Sequence, residues 1–146
     1  MPQYRERLTP SPWVFLSTAL VIPASIIVFA PLAGGVPIGI GVGLVLYAGV
    51  VLVLLATSPV IEVSGGLLRA GRARIPLEHI GSPASFEHEA ATAERGRLLD
   101  ARAYLCIRGW VDPVVKMPIA DPQDPAPYWL VSTRRPGDLI DAVTTR

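Results

Sequence analysis

The residues able to do chemistry are few and scattered. The chain has two histidines, His79 and His88, and one cysteine, Cys106. The run Glu87-His88-Glu89 has the composition of a metal-ligand set. Along an extended strand, however, alternate side chains face opposite sides. Glu87 and Glu89 would then point away from His88, so the run reads as a solvated charged edge and no metal site is expected. Asp121 and Asp124 each precede a proline, a placement that caps turns rather than pairing carboxylates for proton transfer. No serine lies in a nucleophile-elbow sequence. Cys106 sits in the apolar run YLCIRGW, which suits a buried, inert thiol. A lone cysteine excludes an intramolecular disulfide and fits a reducing compartment. The residues assign no catalytic group and no cofactor, and the chain is expected not to be an enzyme.

Binding chemistry is better represented. Arg69, Arg72 and Arg74 crowd the stretch LLRAGRARIPLEHIG, Arg108 and Trp110 share a face of an expected strand, and Arg134 and Arg135 open the last expected helix. Guanidinium groups beside an aromatic ring suit a partner bearing phosphate or carboxylate. The plainer account makes Trp110 and Trp129 core rings and the arginines surface charges or internal ion-pair partners. Nucleic acid is not expected, because the net charge is only +1 and nucleic-acid binders show a broad basic surface.

What must position these residues follows from charge distribution. Only 17% of the 146 residues are charged, against roughly 25% in ordinary soluble domains. The deficit is local: from Leu8 to Ile61 there is no Asp, Glu, Lys, Arg or His. Two apolar stretches fill that gap, Trp13–Ala30 and Ile38–Ala56. At 1.5 Å per residue each reaches roughly 27–29 Å, close to a bilayer's hydrocarbon thickness. The turn PLAGGVP between them leaves room only for an antiparallel hairpin. Residues 13–31 and 37–57 are therefore expected to span a membrane, after a tail at 1–12 and before a domain at 58–146. The remaining residues are too few to bury two such helices in a soluble core. A signal peptide fits poorly, because a second span follows almost at once and no clear small-x-small site precedes the turn.

Pro23 predicts a kink in the first span, with Ser17, Thr18 and Ser25 available to satisfy freed backbone groups. Trp13 marks an interface. The sequence GIGVG lacks the preceding strand and third glycine of a dinucleotide loop. Instead Gly35, Gly39 and Gly43 repeat every four residues, the register that lets membrane helices approach closely, either the first span or a second copy. Arg5 and Arg7 precede the hairpin and Arg69, Arg72 and Arg74 follow it, so the positive-inside bias puts both termini in the cytoplasm and the chain in the cell membrane as a multi-pass protein.

Beyond Thr57 the pattern becomes short strands. VIEVSGGLLRAG and RARIPL read as strands hinged at glycines, ASFEHE as a weaker strand, and EAATAERGRLLDAR as a surface loop or short helix. AYLCIRGWV and PVVKMPIA read as a strand pair turning at Asp112-Pro113, followed by the acidic loop DPQDPAP and the strand YWLVST. RRPGDLIDAVTTR closes as an amphipathic helix, with Leu139, Ile140 and Val143 on one face and Asp138 and Arg146 placed to suit its dipole. The expected class is a membrane α+β protein: a two-helix hairpin followed by a small β-barrel or bent sheet plugged by a C-terminal helix.

This order resembles bacterial pleckstrin-homology-like domains, and GLLRAGRARIPLEHIG looks like their second and third strands. LLDARAYLCIRGWV and DPQDPAPYWLVSTRRPGDL resemble a family of uncharacterised two-helix membrane proteins from actinobacteria. That resemblance implies a helical hairpin carrying a small cytoplasmic domain, and implies no activity. The expected role is a non-enzymatic, membrane-anchored adaptor with a membrane or cytoplasmic protein partner. The alternative is an anionic lipid-headgroup module using Arg69, Arg72 and Arg74, with a metal-dependent enzyme a distant third.

Overall fold

The computed structural model describes residues 3–145; Met1, Pro2 and Arg146, and with them the expected dipole role of Arg146, lie outside the described residues. The chain divides into two compact units. One is Thr9–Ser58, and the other joins the residues on both sides of it.

The first unit is an all-helical hairpin. Its first arm is α1 (Pro12–Thr18) and α2 (Val21–Phe29), and its second is α3 (Gly35–Ala56). The arm breaks at Ala19–Leu20, one turn before Pro23. Pro23 has no N–H to offer the Ala19 carbonyl, which accepts instead from Ile22 N at 3.0 Å, tightening the turn. Ser25 Oγ donates to the Val21 carbonyl at 2.8 Å and Thr18 Oγ1 to Val14 at 2.9 Å, so these hydroxyls are satisfied within the helix. Gly34 opens α3 at φ +68°, in the left-handed region that favours glycine. The windows Pro12–Phe29 and Gly35–Ala56 are long and apolar enough to cross a membrane, and only 6% and 11% of them is buried. A core helix of a soluble protein would be mostly covered.

The second unit holds two four-stranded sheets. The first has the order β1 (Tyr4–Arg7), β2 (Val60–Ser64), β3 (Leu67–Ala70), β4 (Ala73–Pro76), antiparallel throughout. Its two hairpin loops are two residues each: Gly65 and Gly66 both have positive φ, and Gly71 opens the second at φ +63°. The residues read from sequence as a tail thus include a strand. Tyr4 and Glu6 face inward and Arg5 and Arg7 outward, a period-2 pattern too short to stand out in sequence.

The second sheet runs β5 (Ala84–Phe86), β7 (Val114–Pro118), β8 (Tyr128–Ser132), β6 (Tyr104–Cys106). The expected antiparallel pair of 103–111 with 113–120 does not form. β6 is short, leaves the sheet after Cys106, and pairs in parallel with β8, while β7 lies between β5 and β8. β8 is buried along its whole length, the mark of a strand covered on both faces. Glu87-His88-Glu89, expected as strand, instead follows β5, with Glu87 at the N-cap position of α4 (His88–Arg95). No closed barrel results, because the sheets are joined by the isolated bridge Ile80–Ile119 rather than by a continuous ladder.

One core lies between the sheets: Tyr4, Leu8, Ile61, Val63 and Leu68 from the first side meet Val115, Met117, Trp129 and Val131 from the other. α5 (Pro136–Thr144) packs on both sheets and inserts Leu139, Ala142 and Val143. A second cluster, Ala91, Val114, Tyr128 and Leu130, sits under α4. There Lys116 Nζ meets Glu94 Oε2 at 2.8 Å and lies 4.3 Å above the Tyr128 ring. The nearly buried Glu94 is thereby neutralised and α4 is held to the sheet.

Candidate functional site

Strand register builds the most distinctive surface. Along the outer face of the first sheet Arg5, Glu62, Arg69 and Arg74 are successive cross-strand partners. At about 4.8 Å per strand this row is roughly 15 Å long. Arg7 lies on the same face, and Arg72 is in the loop between β3 and β4; all five arginines are exposed. Arg69 and Arg74 are directly opposite, an arrangement of like charges that weakens a sheet. None of the ion pairs formed among the described residues uses Arg5, Arg69, Arg72 or Arg74.

Arg134 and Arg135 are drawn elsewhere. The Glu6 carboxylate, only 8% exposed, accepts from the Tyr4 hydroxyl at 2.5 Å, the Thr133 hydroxyl at 2.7 Å and the Arg134 backbone N–H at 3.2 Å. Arg134 Nη1 adds an ion pair at 3.4 Å. Arg135 lies 5.0 Å above the Tyr4 ring and donates to the Arg5 carbonyl at 3.1 Å. Burial, and then the adjacent Glu6 carboxylate, push Tyr4 well above the usual phenol range, so it stays neutral and donating. This network ties β1 to the start of α5. The sequence alone assigns Glu6 no such role, because the four-residue alternation that turns it inward beside Tyr4 is too short to stand out.

Arg108 and Trp110 lie in the loop after β6, not on a strand face. Trp110 is half-buried and its Nε1 donates to the Leu8 carbonyl at 3.3 Å; Arg108 Nη1 donates to its neighbour's carbonyl at 2.9 Å. Trp129 is a core ring stacked obliquely on Tyr104 at 4.6 Å. Arg108, Trp110 and Trp129 are therefore not gathered into one pocket.

The titratable groups serve mainly as local ties. Asp112 accepts the His88 backbone N–H at 2.8 Å and Arg95 Nη2 at 3.1 Å, clasping both ends of α4, with His88 held at φ +53°. These donors, the His88 amide foremost, hold the Asp112 carboxyl below the usual range. Asp121 accepts from Gln123 N at 2.8 Å and Asp124 from Ala126 N at 2.9 Å, so both brace the proline loop. Cys106 is buried, and burial pushes its thiol upward, away from nucleophilic thiolate. No cluster of three His, Cys, Asp or Glu suited to a metal ion occurs among the described residues.

One of these ties is directly measurable. The Arg102 side chain, then its backbone N–H, hold the exposed Asp100 carboxyl at about 2. A depressed carboxylate stabilises the fold above its ordinary value of about 3.9 and loses that contribution as pH falls through its folded value. Carboxyl NMR titration should therefore place the Asp100 midpoint near 2, and Arg102→Gln should return it toward about 3.9. An ordinary midpoint in the parent protein would refute the pairing.

In the hairpin, Gly35, Gly39 and Gly43 are the buried residues of α3. A Cβ at Gly39 would stand 2.7 Å from Ile26 Cα, and one at Gly43 would stand 2.8 Å from Ile22 Cα; at Gly35 it would strike the Phe29 carbonyl oxygen. The stripe faces the first arm of the same hairpin.

No curated protein matches the chain. No solved structure matches it either. Residues 3–143 match a family from the strand before the hairpin to the last turns of α5, and the chain belongs to that family, described as "Protein of unknown function (DUF3093)".

Proposed function

We propose that this chain is a membrane-anchored interaction module. Its helical hairpin spans the cell membrane and its α+β domain stands in the cytoplasm, where it recruits a protein partner rather than catalysing a reaction. The observation that supports the anchored topology in this reading is the pairing of β1 with β2 across the hairpin, closed by Leu8 N donating to the Pro59 carbonyl at 3.0 Å. The apolar segment leaves and returns to one sheet at one rung, so both flanks occupy the same side of any membrane it enters. Arginines flank both ends, and the positive-inside bias makes that side the cytoplasm. Tyr4 and Leu8, upstream of the first span, belong to the domain's core. Cleavage of that span as a signal peptide would remove them.

A cytoplasm-active reporter fused after Arg146 should be active, and a periplasm-active reporter placed in the Leu32–Gly34 turn should be active too. The chain should also resist alkaline carbonate extraction. A silent reporter after Arg146 would refute the topology. Crosslinking in native membranes should recover one stoichiometric protein partner, and turnover by the purified chain would refute the non-enzymatic reading.

A further inference from the structure

We infer that the outer face of the first sheet, with Arg5, Arg69 and Arg74 in one cross-strand row and Arg7 and Arg72 at its hairpin end, is a docking surface for the anionic lipid headgroups of the membrane that holds the chain. The inference rests on the anchoring proposed above and names what the domain touches there.

Three observations converge. First, the arginines are concentrated by register. Only Glu62 interrupts the row, and the remainder of the chain leaves the whole protein at a net charge of +1. Second, the sheet accepts the Arg69–Arg74 opposition without an ion pair to relieve it. A plane of anionic headgroups supplies the missing counter-charge to a flat row of this length. A helix or loop of a protein partner would have to match its spacing residue by residue.

Third, chain length limits the distance. Four residues separate β1 from α1, and three separate α3 from β2. Fully extended they reach at most about 14 Å and 11 Å. The sheet end carrying Arg7, Val60 and the Gly71-Arg72 loop is the end from which these linkers depart. Arg5, Arg69 and Arg74 stand about two residues, roughly 7 Å, further along their strands. With the shorter linker fully extended, the row still stands no more than about 18 Å from where the second span ends, about two Debye lengths at ordinary salt. Any slack in the linkers brings it within the range over which an anionic surface is felt.

The test uses the full-length chain in lipid nanodiscs, one set of phosphatidylcholine alone and one rich in phosphatidylglycerol. Hydrogen exchange is followed over Leu67–Pro76, with Val114–Ser132 as internal reference. Exchange of the β3–β4 hairpin should be slowed at least about fivefold by phosphatidylglycerol, the factor expected per engaged arginine. The slowing should vanish at high salt and in the triple variant Arg5→Gln, Arg69→Gln, Arg74→Gln. Glu62→Gln should enlarge it, a gain that misfolding does not produce.

Equal exchange in the two lipids, or a phosphatidylglycerol effect that survives the triple substitution, overturns the inference. So does protection found on native membrane vesicles but absent from the pure lipid discs, which would assign this face to a protein. Retention after alkaline wash reads the anchor separately. A chain retained without lipid dependence refutes only the docking surface, and a chain that is not retained refutes both.

Discussion

Glu6→Ala should lower the stability of the α+β domain by about 3 kcal/mol, the largest single-residue effect expected outside its apolar core. The carboxylate is nearly buried and gathers the Tyr4 hydroxyl, the Thr133 hydroxyl and the Arg134 N–H. Hydrogen bonds to a charged group contribute roughly 1.5–3 kcal/mol each, and stranding buried donors costs about 1–3 kcal/mol apiece. The Tyr4 and Thr133 hydroxyls lie 2.7 Å apart and can still bond each other, and Arg134 is exposed and regains water, so the three losses do not add in full. For a domain near 90 residues each kcal/mol moves Tm by about 4–8 °C. A fall of more than about 10 °C should therefore appear in near-ultraviolet dichroism of the tryptophans. Glu6→Gln keeps an acceptor and should fall between the two.

Tyr4 adds a pH signature. Its raised pKa means that its contribution is complete below the ordinary phenol value of about 10 and is lost as pH rises beyond it toward the folded value. Alkaline unfolding should therefore be blunted in Tyr4→Phe, at the expense of about 1 kcal/mol at neutral pH. If Glu6→Ala melts with the parent, β1 is not tied to the domain as described. The single-rung exit of the hairpin then loses its support.

Sequence alone made the hairpin legible because its signal is composition, which needs no partner to interpret. The run without charge from Leu8 to Ile61 stands apart from the rest of the chain without reference to any distant residue, and Pro23 marked the first arm for a break that falls at Ala19–Leu20. The glycine hinges at Ser64-Gly65-Gly66 and Gly71 were legible for a related reason, since positive φ is a local demand met by a local residue. What failed depended on distant pairing. Tyr4–Arg7 is four residues of strand whose partner lies beyond the hairpin, and no local pattern of that length separates strand from tail. The parallel pairing of β6 with β8 was likewise invisible, because sequence adjacency favours the antiparallel neighbour.

The candidate site divides along the same line. The arginines at 69, 72 and 74 were visible as a cluster, but Arg5 enters their row only through register across β2. Arg134 and Arg135, equally basic in sequence, are drawn toward Glu6, Tyr4 and the Arg5 carbonyl instead. Arg108 and Trp110 share no strand face, since β6 ends at Cys106. Composition names the charges, and topology decides which of them stand together.

In the hairpin, two pairs of alanine substitutions on different faces of α3 should act in opposite directions. Gly41→Ala and Gly49→Ala meet nothing within 4 Å. Replacing an exposed helical glycine should stabilise by about 0.5–1 kcal/mol. Gly39→Ala would set a methyl 2.7 Å from Ile26 Cα and 2.9 Å from the Ser25 carbonyl oxygen, and Gly43→Ala would meet Ile22 in the same way. These obstacles are backbone, so the arms must separate rather than repack a side chain. Overpacking of this kind costs about 1–3 kcal/mol. In lipid no hydrophobic gain offsets it, because arm-to-arm contact there is dispersion between closely fitted surfaces. The two classes should thus differ by about 1.5–4 kcal/mol in helical unfolding of the full chain titrated with denaturing detergent. Protein concentration separates the alternative use of the stripe. If Gly39 and Gly43 joined two copies of the chain, their substitution would abolish a concentration-dependent transition and leave the dilute chain unchanged. Packing within one hairpin requires the loss to be the same at every concentration, and equal effects at Gly39 and Gly41 would refute it.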